Sequence, residues 1–520
     1  MDIEDGILAI DIGTTNLKCT LFNKNLKVLN NTSLRLEILK PFEDYFEIDP
    51  EHLLESIKNS LLDVKKFKDT VKIKCLGIST QRNSILLWNR NTGKRYTNFI
   101  LWSDKRNKKL YKKMNSNLLL NTGTNLAKIA TKIWYNDHLK LISNYTVDST
   151  HIPCRLVNEL EILECKLESE EFKQISCGTI DTWLAWILSK EKYFVTDLSC
   201  ASSTGLYDIF QGDWNTFLVF LFGIPNRILP KIKDTCDDYG HLDKSFLNSE
   251  EEIPISAIIG DSQASLIAEC CFEPGECVIT IGTGTFISLV IGDKPIASFN
   301  GNYPLIGYKF KKHVIYILHC FVSNAGQSID WAKSIGLFES YDQIDKILEN
   351  TWDSGGVYYI PSLLELQGVN KATTGSGFIG LKQNTTKSQM LRAVIESIAF
   401  LIKIKFDGFR QDLLKNNIDL KNIRLSGGVT NSKIFCQLLS NLLEFPLERS
   451  NFSNTSSVYG AAFLAGLSTG LYNELDELKI IRKVEAEFKP DLEVLKKKSN
   501  FKQELLDWRK ALERFVKWND

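Results

Sequence analysis

Two short runs in this 520-residue chain have the composition of an anion-binding turn. Asp11-Ile12-Gly13-Thr14-Thr15 follows the apolar run Ile7 to Ile10, and Gly282-Thr283-Gly284-Thr285 follows Cys277 to Ile281. Small residues let a backbone approach a polyphosphate closely, exposed N–H groups bind its oxygens, and threonine hydroxyls add donors. Asp11 ends the strand before the first turn, where a carboxylate could hold Mg²⁺ through water. Either turn alone reads equally well as a plain β-hairpin; the pair, one preceded by an aspartate, shifts the balance toward nucleotide binding. No Gly-x-x-x-x-Gly-Lys-Ser/Thr run is present, and Gly282-Thr283-Gly284 lacks the third glycine of a dinucleotide fingerprint, which disfavours both of those classes.

Two further runs carry chemistry. Ile258-Ile259-Gly260-Asp261 is an apolar strand ending in Gly-Asp, with a helix expected over 262–272. Asp261 there reads as an N-cap, or as a general base taking the proton of a hydroxyl that attacks a γ-phosphoryl group. Ile423-Arg424-Leu425-Ser426-Gly427-Gly428 is a strand entering a double glycine, ahead of a helix carrying Phe435, Leu438, Leu439 and Leu442 on one side. With no Cβ in the way, such a turn accepts a flat ring or a phosphate. The small-residue run Gly460 to Gly466 reads as a helix built for close packing.

The elements that must position these residues alternate between strand and helix, the pattern of an α/β protein. Residues 6–19 read as strand, tight turn and strand; Asp49-Pro50 opens a helix with Leu53, Leu54, Ile57, Leu61 and Leu62 on one face; residues 72–80 are a strand, and 84–88 begin another that turns at Asn91-Thr92-Gly93. The stretch 108–173 is Asn- and Lys-rich without a clear core pattern. Because the strand-turn-strand plan recurs half a chain later, we expect an internal duplication with a boundary near Asp261 to Phe272 and a cleft between two lobes. Phe501, Leu505, Trp508, Leu512 and Phe515 recur at helical spacing in the C-terminal tail, the mark of intramolecular packing.

Composition agrees. A chain of this length suits two domains, and 43% hydrophobic with 24% charged residues is the balance of a globular protein. Lys plus Arg and Asp plus Glu are 63 each, so bulk charge offers nothing to nucleic acid or an anionic membrane and leaves room only for a local basic patch. No run approaches the roughly 20 apolar residues of a membrane span; Phe217 to Ile224 is short and ends at Pro225. Met1-Asp2-Ile3-Glu4-Asp5 is acidic where a targeting peptide is basic. The 12 cysteines have no framework spacing and there are only 6 histidines, so we expect reduced thiols, no zinc, and a cytoplasmic location.

These motifs, taken in order, resemble those of the FGGY carbohydrate kinases, which share the actin/Hsp70/sugar-kinase fold. Asp11 to Thr15 is similar to the family's first phosphate motif, Gly282-Thr283-Gly284 to its second, and Leu425 to Gly428 to its adenosine motif. Ser79-Thr80-Gln81-Arg82, Trp102, Gly178 to Trp183, Thr196-Asp197 and Glu396 to Ala399 resemble glycerol kinases, above all a divergent animal branch. The resemblance implies a two-lobed, ribonuclease H-like duplicated α/β fold: residues 1–262 as the N-terminal kinase domain, 263–472 as the C-terminal kinase domain, and 473–520 as a helical tail. It implies ATP-dependent phosphorylation of a small polyol, glycerol to glycerol 3-phosphate first, with ATP and Mg²⁺. By motif, Asp261 matches the catalytic base and Asp11 the Mg²⁺ carboxylate. Gly13, Thr14, Thr15, Lys18, Gly282, Thr283, Gly326, Gly428 and Ser432 fall on ATP positions. Arg82, Asn83, Trp102, Asp261, Ser262 and Phe286 fall on substrate positions. The expected partner is a small-molecule polyol, with no nucleic acid, no membrane span, and room for a homodimer.

Departures from the family pattern bear on the substrate. Asn83 stands for a glutamate, Ser262 for a glutamine, and Lys18 for an arginine, which keeps the charge and loses the bidentate fork. The pocket tyrosine has no clear counterpart around Ser149 to Leu156, and Leu366 to Lys371 replace an expected loop. Each lost buried hydrogen-bond partner is worth on the order of 1–3 kcal/mol, enough to move specificity. They motivate an alternative, a nucleotide-binding regulatory or scaffolding homologue with weak transfer. An ATPase of the chaperone or filament type is disfavoured by Arg82, Trp102 and Asp261, which such an enzyme would not need.

Overall fold

Ile7, Leu8, Ala9 and Ile10 are fully buried, as a continuous apolar run must be when both faces of its sheet are covered. They belong to β1 (Glu4–Ile12), which pairs antiparallel with β2 (Asn16–Asn23) across the Gly13 turn; β2 pairs antiparallel with β3 (Val28–Arg35). On the other side β1 runs parallel to β4 (Val71–Thr80), and β4 parallel to β5 (Ile255–Gly260). The computed structural model describes residues 4–64, 71–134, 136–147, 151–248, 251–282, 284–322, 325–362, 375–491 and 500–516.

A second sheet repeats the plan. β6 (Glu276–Ile281) pairs antiparallel with β7 (Thr285–Gly292). β9 (His313–Val322) lies between β7 and the edge strand β8 (Tyr303–Phe310) and pairs antiparallel with both. Across β6 lie β10 (Asn422–Ser426) and β11 (Leu447–Ser450), both parallel, and β12 (Val484–Phe488) closes the edge antiparallel. The order β3-β2-β1-β4-β5 in the first sheet thus has the same directions as β9-β7-β6-β10-β11 in the second. The duplication expected from two short turns extends to the topology of both lobes.

Helices follow their local signals. Asp49 caps α1 (Pro50–Val64), its Oδ1 accepting from the N–H of Glu51 at 2.7 Å and of His52 at 3.1 Å, with Leu53, Ile57 and Leu61 buried behind it. The unreadable stretch holds α2 (Lys108–Asn115), α3 (Leu118–Ile133), α4 (Asp137–Asn144) and α5 (Ile152–Lys166). α3 hid its pattern because it is apolar on two sides, one packed and one bare. The short apolar run near Phe217 is part of a six-residue helix, Thr216–Leu221. Among the described residues no helix is long and apolar enough to cross a membrane, and none of the twelve cysteines forms a disulfide.

The lobes meet on α6 (Asp261–Ala268) and the small-residue helix, which becomes α10 once α7 (Ala325–Ser334), α8 (Lys387–Lys415) and α9 (Lys433–Leu443) are counted; α10 spans Ser456–Ser468. A Cβ on Gly460 would stand 1.9 Å from the Ala264 carbonyl oxygen, and one on Gly77 would stand 2.2 Å from that of Ala461. Glycine is therefore what lets α10 touch both α6 and β4. One core cluster gathers Ile7 and Ala257 of the first sheet, Val278 and Val290 of the second, and Ala461 to Ala465 between them. The tail helix α11 (Asn500–Phe515) docks on the body: Trp508 is fully buried, packs on Phe400, and donates from Nε1 to the Tyr359 carbonyl at 2.8 Å.

Candidate active site

The first Gly-Thr turn is held from below by side chains. Gly13 N–H donates to the Asn16 carbonyl at 2.9 Å, and Gln81 reaches across from the end of β4 to donate Nε2 to the Gly13 carbonyl at 3.0 Å. Asp11, buried at the end of β1, accepts from the Ser79 hydroxyl at 2.9 Å and from the Ser457 hydroxyl of α10 at 2.6 Å. Lys18 donates to the Asn454 carbonyl at 3.1 Å. Ser457 and Asn454 belong to the second half of the chain, so the first Gly-Thr turn and Asp11 are fixed by both lobes.

Asp261 begins α6, with Gly260 as the N-cap residue. Its own Oδ1 accepts from the Ser262 N–H at 2.7 Å, while 29% of the side chain still faces the cleft. Behind it runs a buried relay: Gly260 N–H donates to the Ser199 hydroxyl at 2.8 Å, and Ser199 donates to Asp197. Arg82 Nε lies 3.7 Å from Asp261 Oδ1. It passes over Gly260, where an added Cβ would sit 2.8 Å from Arg82 Cδ. Burial pushes the Asp261 carboxyl up from 3.8 to about 6; Arg82 opposes that push, and the negative charge of Asp11 adds to it.

The second lobe supplies a wall of rings. Phe286 and Ser288 on β7 face His319 and Phe321 on β9, because the register pairs Phe286 with Phe321 and Ser288 with His319, and every second residue shares a side. Trp102 stands edge-on to Phe321 at 5.5 Å and to Phe286 at 6.5 Å, and its Nε1 donates to the Thr14 hydroxyl at 3.0 Å. The Arg82 guanidinium lies 5.6 Å above the Phe286 ring and contacts His319 Nε2 at 3.0 Å. A guanidinium only donates, so His319 Nε2 accepts and Nδ1 carries the proton toward the Ser288 hydroxyl, 3.0 Å away. Full burial, and then the charge of Arg82, hold the His319 ring well below its ordinary pKa and therefore neutral. Arg82 is gripped from both lobes.

Other expected site residues are placed differently. Asn83 adopts a left-handed backbone, φ 63°, which asparagine tolerates; its carbonyl accepts from Arg155 at 2.7 Å and its Oδ1 from Ser203 at 3.0 Å. Ser262 is buried and donates to Gln263 Oε1 at 2.9 Å. Thr15 Oγ1 accepts from Asn16 at 3.1 Å. In the second turn Gly282 N–H donates to the Gly284 carbonyl at 2.9 Å, and the Gly326 N–H closes on the Gly282 carbonyl at 3.0 Å; Thr283 lies outside the described residues, as do Leu366 to Lys371 and Ser149. Gly427 has φ 94° with its Cα against the Ile281 backbone, whereas a Cβ on Gly428 would meet open space. The double glycine does not enter the helix directly: a 3₁₀ turn, Gly428–Asn431, intervenes, and Ser432 caps α9 while donating to Asp345.

Gln81, Ser457, His319 and Phe321 were not anticipated. The run Ser79 to Arg82 pointed near Gln81, but nothing local marks the other three. Among the described residues no cluster of three or more His, Cys, Asp or Glu side chains could cage a metal; a cation would be held by Asp11 together with phosphate and water oxygens. That is how Mg²⁺ is ordinarily bound, and the closeness of two carboxylates, Asp11 and Asp261, suits a cation.

Two sheets of one topology, with Gly-Thr turns at matching hairpins and an Arg–Asp pair between them, define a two-domain sugar-kinase fold. The chain belongs to the FGGY family of carbohydrate kinases: the family's N-terminal domain matches residues 6–268 and its C-terminal domain residues 277–469. It is accordingly an ATP-dependent phosphotransferase acting on hydroxyl groups. Among individual proteins it is similar to glycerol kinase 5 of Bos taurus, 33% identical over 521 residues that cover 98% of this chain and 96% of that protein. It is also similar to the glycerol kinase of Borreliella afzelii (strain PKo), 30% identical over 522 residues, 98% of each chain. The crystal structure of Plasmodium falciparum glycerol kinase with ADP superposes with a TM-score of 0.84 at 27% identity, covering 99% of both chains.

Proposed function

We propose that this enzyme transfers the γ-phosphoryl group of MgATP to a primary hydroxyl of a small polyol, glycerol being the first candidate and glycerol 3-phosphate the product. The observation that carries the reading is the Trp102–Thr14 hydrogen bond of 3.0 Å: it joins the ring-lined wall directly to the phosphate turn. Arg82, over the Phe286 ring, stands 3.7 Å from Asp261. Arg82 donates to polyol hydroxyls, while Trp102, Phe286 and Phe321 cover the carbon skeleton and exclude water. Asp261 takes the proton of the attacking hydroxyl as its oxygen bonds to the γ-phosphorus and the bond to the β-phosphate oxygen breaks, releasing ADP. With a pKa near about 6 it is mostly ionised at neutral pH and close to the value that suits a base. Asp11 would hold Mg²⁺, which when bound neutralises phosphate charge.

In this reading Gly13, Thr14, Thr15 and Lys18 attend the nucleotide from one lobe and Gly282, Thr283, Gly326, Gly428 and Ser432 from the other. The division of the chain after residues 262 and 472 belongs to the same proposal, as do a cytoplasmic location and a homodimer. The purified protein is to be offered glycerol, longer polyols and pentoses with ADP release coupled to NADH oxidation. Turnover that saturates with glycerol at a KM below that for the pentoses supports the proposal; a pentose preferred over glycerol, or ADP release that ignores every acceptor, removes it.

A further inference from the structure

Away from the cleft, α2 and α3 carry side chains that the reaction does not use. Residues 105–136 contain eight basic side chains and no acidic one, in a chain whose net charge is +0. Arg106 is taken up by Glu47 and Asp104, but Lys112, Lys113, Lys128 and Lys132 are exposed. None of these four pairs with a carboxylate among the described residues.

The same segment bares apolar surface that a solvated helix would not. Of the sixteen residues of α3 only Leu120, Thr124 and Ala127 are buried, on the side that meets α4. Leu118, Leu119, Leu126, Ile129 and Ile133 are 78%, 61%, 61%, 58% and 69% exposed, and Trp134 just beyond them is 68% exposed. At 3.6 residues per turn those five aliphatic side chains fall within an arc of about 100°, with Thr122 at its centre. Lys128 and Lys132 flank it on one side, four residues apart and so one above the other. An aliphatic stripe bordered by lysines and ended by a tryptophan is the composition of a helix that lies in a bilayer interface.

From this we infer that α3 is a docking surface for an anionic lipid membrane, the Leu126–Ile129–Ile133 stripe entering the headgroup boundary and Lys128 and Lys132 meeting lipid phosphates. Charge complementarity selects this occupant. A second copy packed antiparallel on the same stripe would bring the two lysine rows together, a like-charge arrangement that interfaces avoid. A nucleic acid would match the lysines and leave the aliphatic stripe uncovered. The attachment is peripheral and independent of the proposed reaction, since α3 contributes no group to the cleft.

The test is co-sedimentation of the full chain with phosphatidylcholine vesicles, with and without phosphatidylserine. The wild type binds the anionic vesicles and is released as salt is raised, because screening weakens only the lysine contribution. Lys128→Gln with Lys132→Gln lowers binding by about thirtyfold at low salt. Ile129→Asn with Ile133→Asn lowers it by about a hundredfold. Both pairs keep the wild-type melting temperature and kinase rate with soluble substrates, which shows that they fold. Failure to bind anionic vesicles overturns the inference, and so does equal binding by the Ile129→Asn/Ile133→Asn variant. A homodimer in sedimentation velocity that this variant dissociates also overturns it, assigning the stripe to a second copy.

Discussion

Replacing Asp261 by asparagine is expected to make the protein inactive and more stable at once. Holding this carboxyl in the cleft raises it from 3.8 to about 6. A full shift of that size amounts to about 3 kcal/mol of strain in the folded, ionised protein. Because 29% of the side chain faces the cleft, water relieves part of it, and we take about 1–2 kcal/mol. The sign follows from proton linkage. Folding raises the affinity of this acid for its proton, so the unfolded chain holds fewer protons between pH 3.8 and about 6, and stability is lost as pH rises through that window. Asparagine escapes the loss. The variant should therefore melt about 2–4 °C above wild type at pH 7.5, taking the unfolding entropy of one lobe, and the gain should vanish near pH 4. Its turnover should fall by about a hundredfold or more, the ordinary contribution of a positioned base, and the wild-type rate should itself decline tenfold per pH unit below about 6. Differential scanning fluorimetry across pH, beside an ADP-coupled assay, reads both. A variant no more stable than wild type at pH 7.5 would deny the strain at Asp261, and one that turns over normally would deny its role as base.

Other outcomes follow from the same geometry. His319→Ala removes the acceptor that steadies Arg82 and should raise the polyol KM by about tenfold or more, whereas His319→Gln, which keeps an acceptor oxygen, restores most of it; equal KM values would deny the positioning role. Gly260→Ala places a methyl 2.8 Å from Arg82 Cδ; the flexible side chain yields, so the fold should survive while catalytic efficiency drops by about tenfold or more, consistent with the sensitivity of such sites to small displacements. Gly460→Ala puts its methyl 1.9 Å from a backbone carbonyl oxygen, where nothing flexible can give way. It should cost about 4 kcal/mol or more, seen as loss of soluble protein.

How far the sequence could be read depended on whether the signal was local. The hairpin at Gly13, the Asp49 cap of α1, and Asp261 at the junction of β5 and α6 each follow from neighbouring residues; the first two stand where expected, whereas Asp261 is the first residue of the helix and Gly260 its N-cap. The small-residue helix also stands where expected, since only close packing explains Gly460 and Gly466 together. His319 and Phe321 escaped because their meaning comes from register: β9 is a distant strand, and only its pairing with β7 aims them at Arg82. Ser457 escaped for the same reason, reaching Asp11 from 446 positions away. Ser432, proposed at the nucleotide, has a hydroxyl that caps α9 and meets Asp345, a use that local propensity alone gives it. The stretch 108–173 gave no helical pattern because α3 carries apolar residues on both a buried and a bare side, so no single amphipathic stripe could be traced.

Passage of phosphate from ATP to a polyol held between Arg82 and Asp261 is followed by label transfer. ATP carrying a radioactive γ-phosphate is incubated with glycerol and either wild type or the Asp261→Asn variant, and the products are separated. Wild type should place label on a primary oxygen of glycerol, in amounts equal to the ADP formed, and the variant none above background. Label that appears only as inorganic phosphate, or glycerol phosphorylated equally by both proteins, would contradict transfer through Asp261.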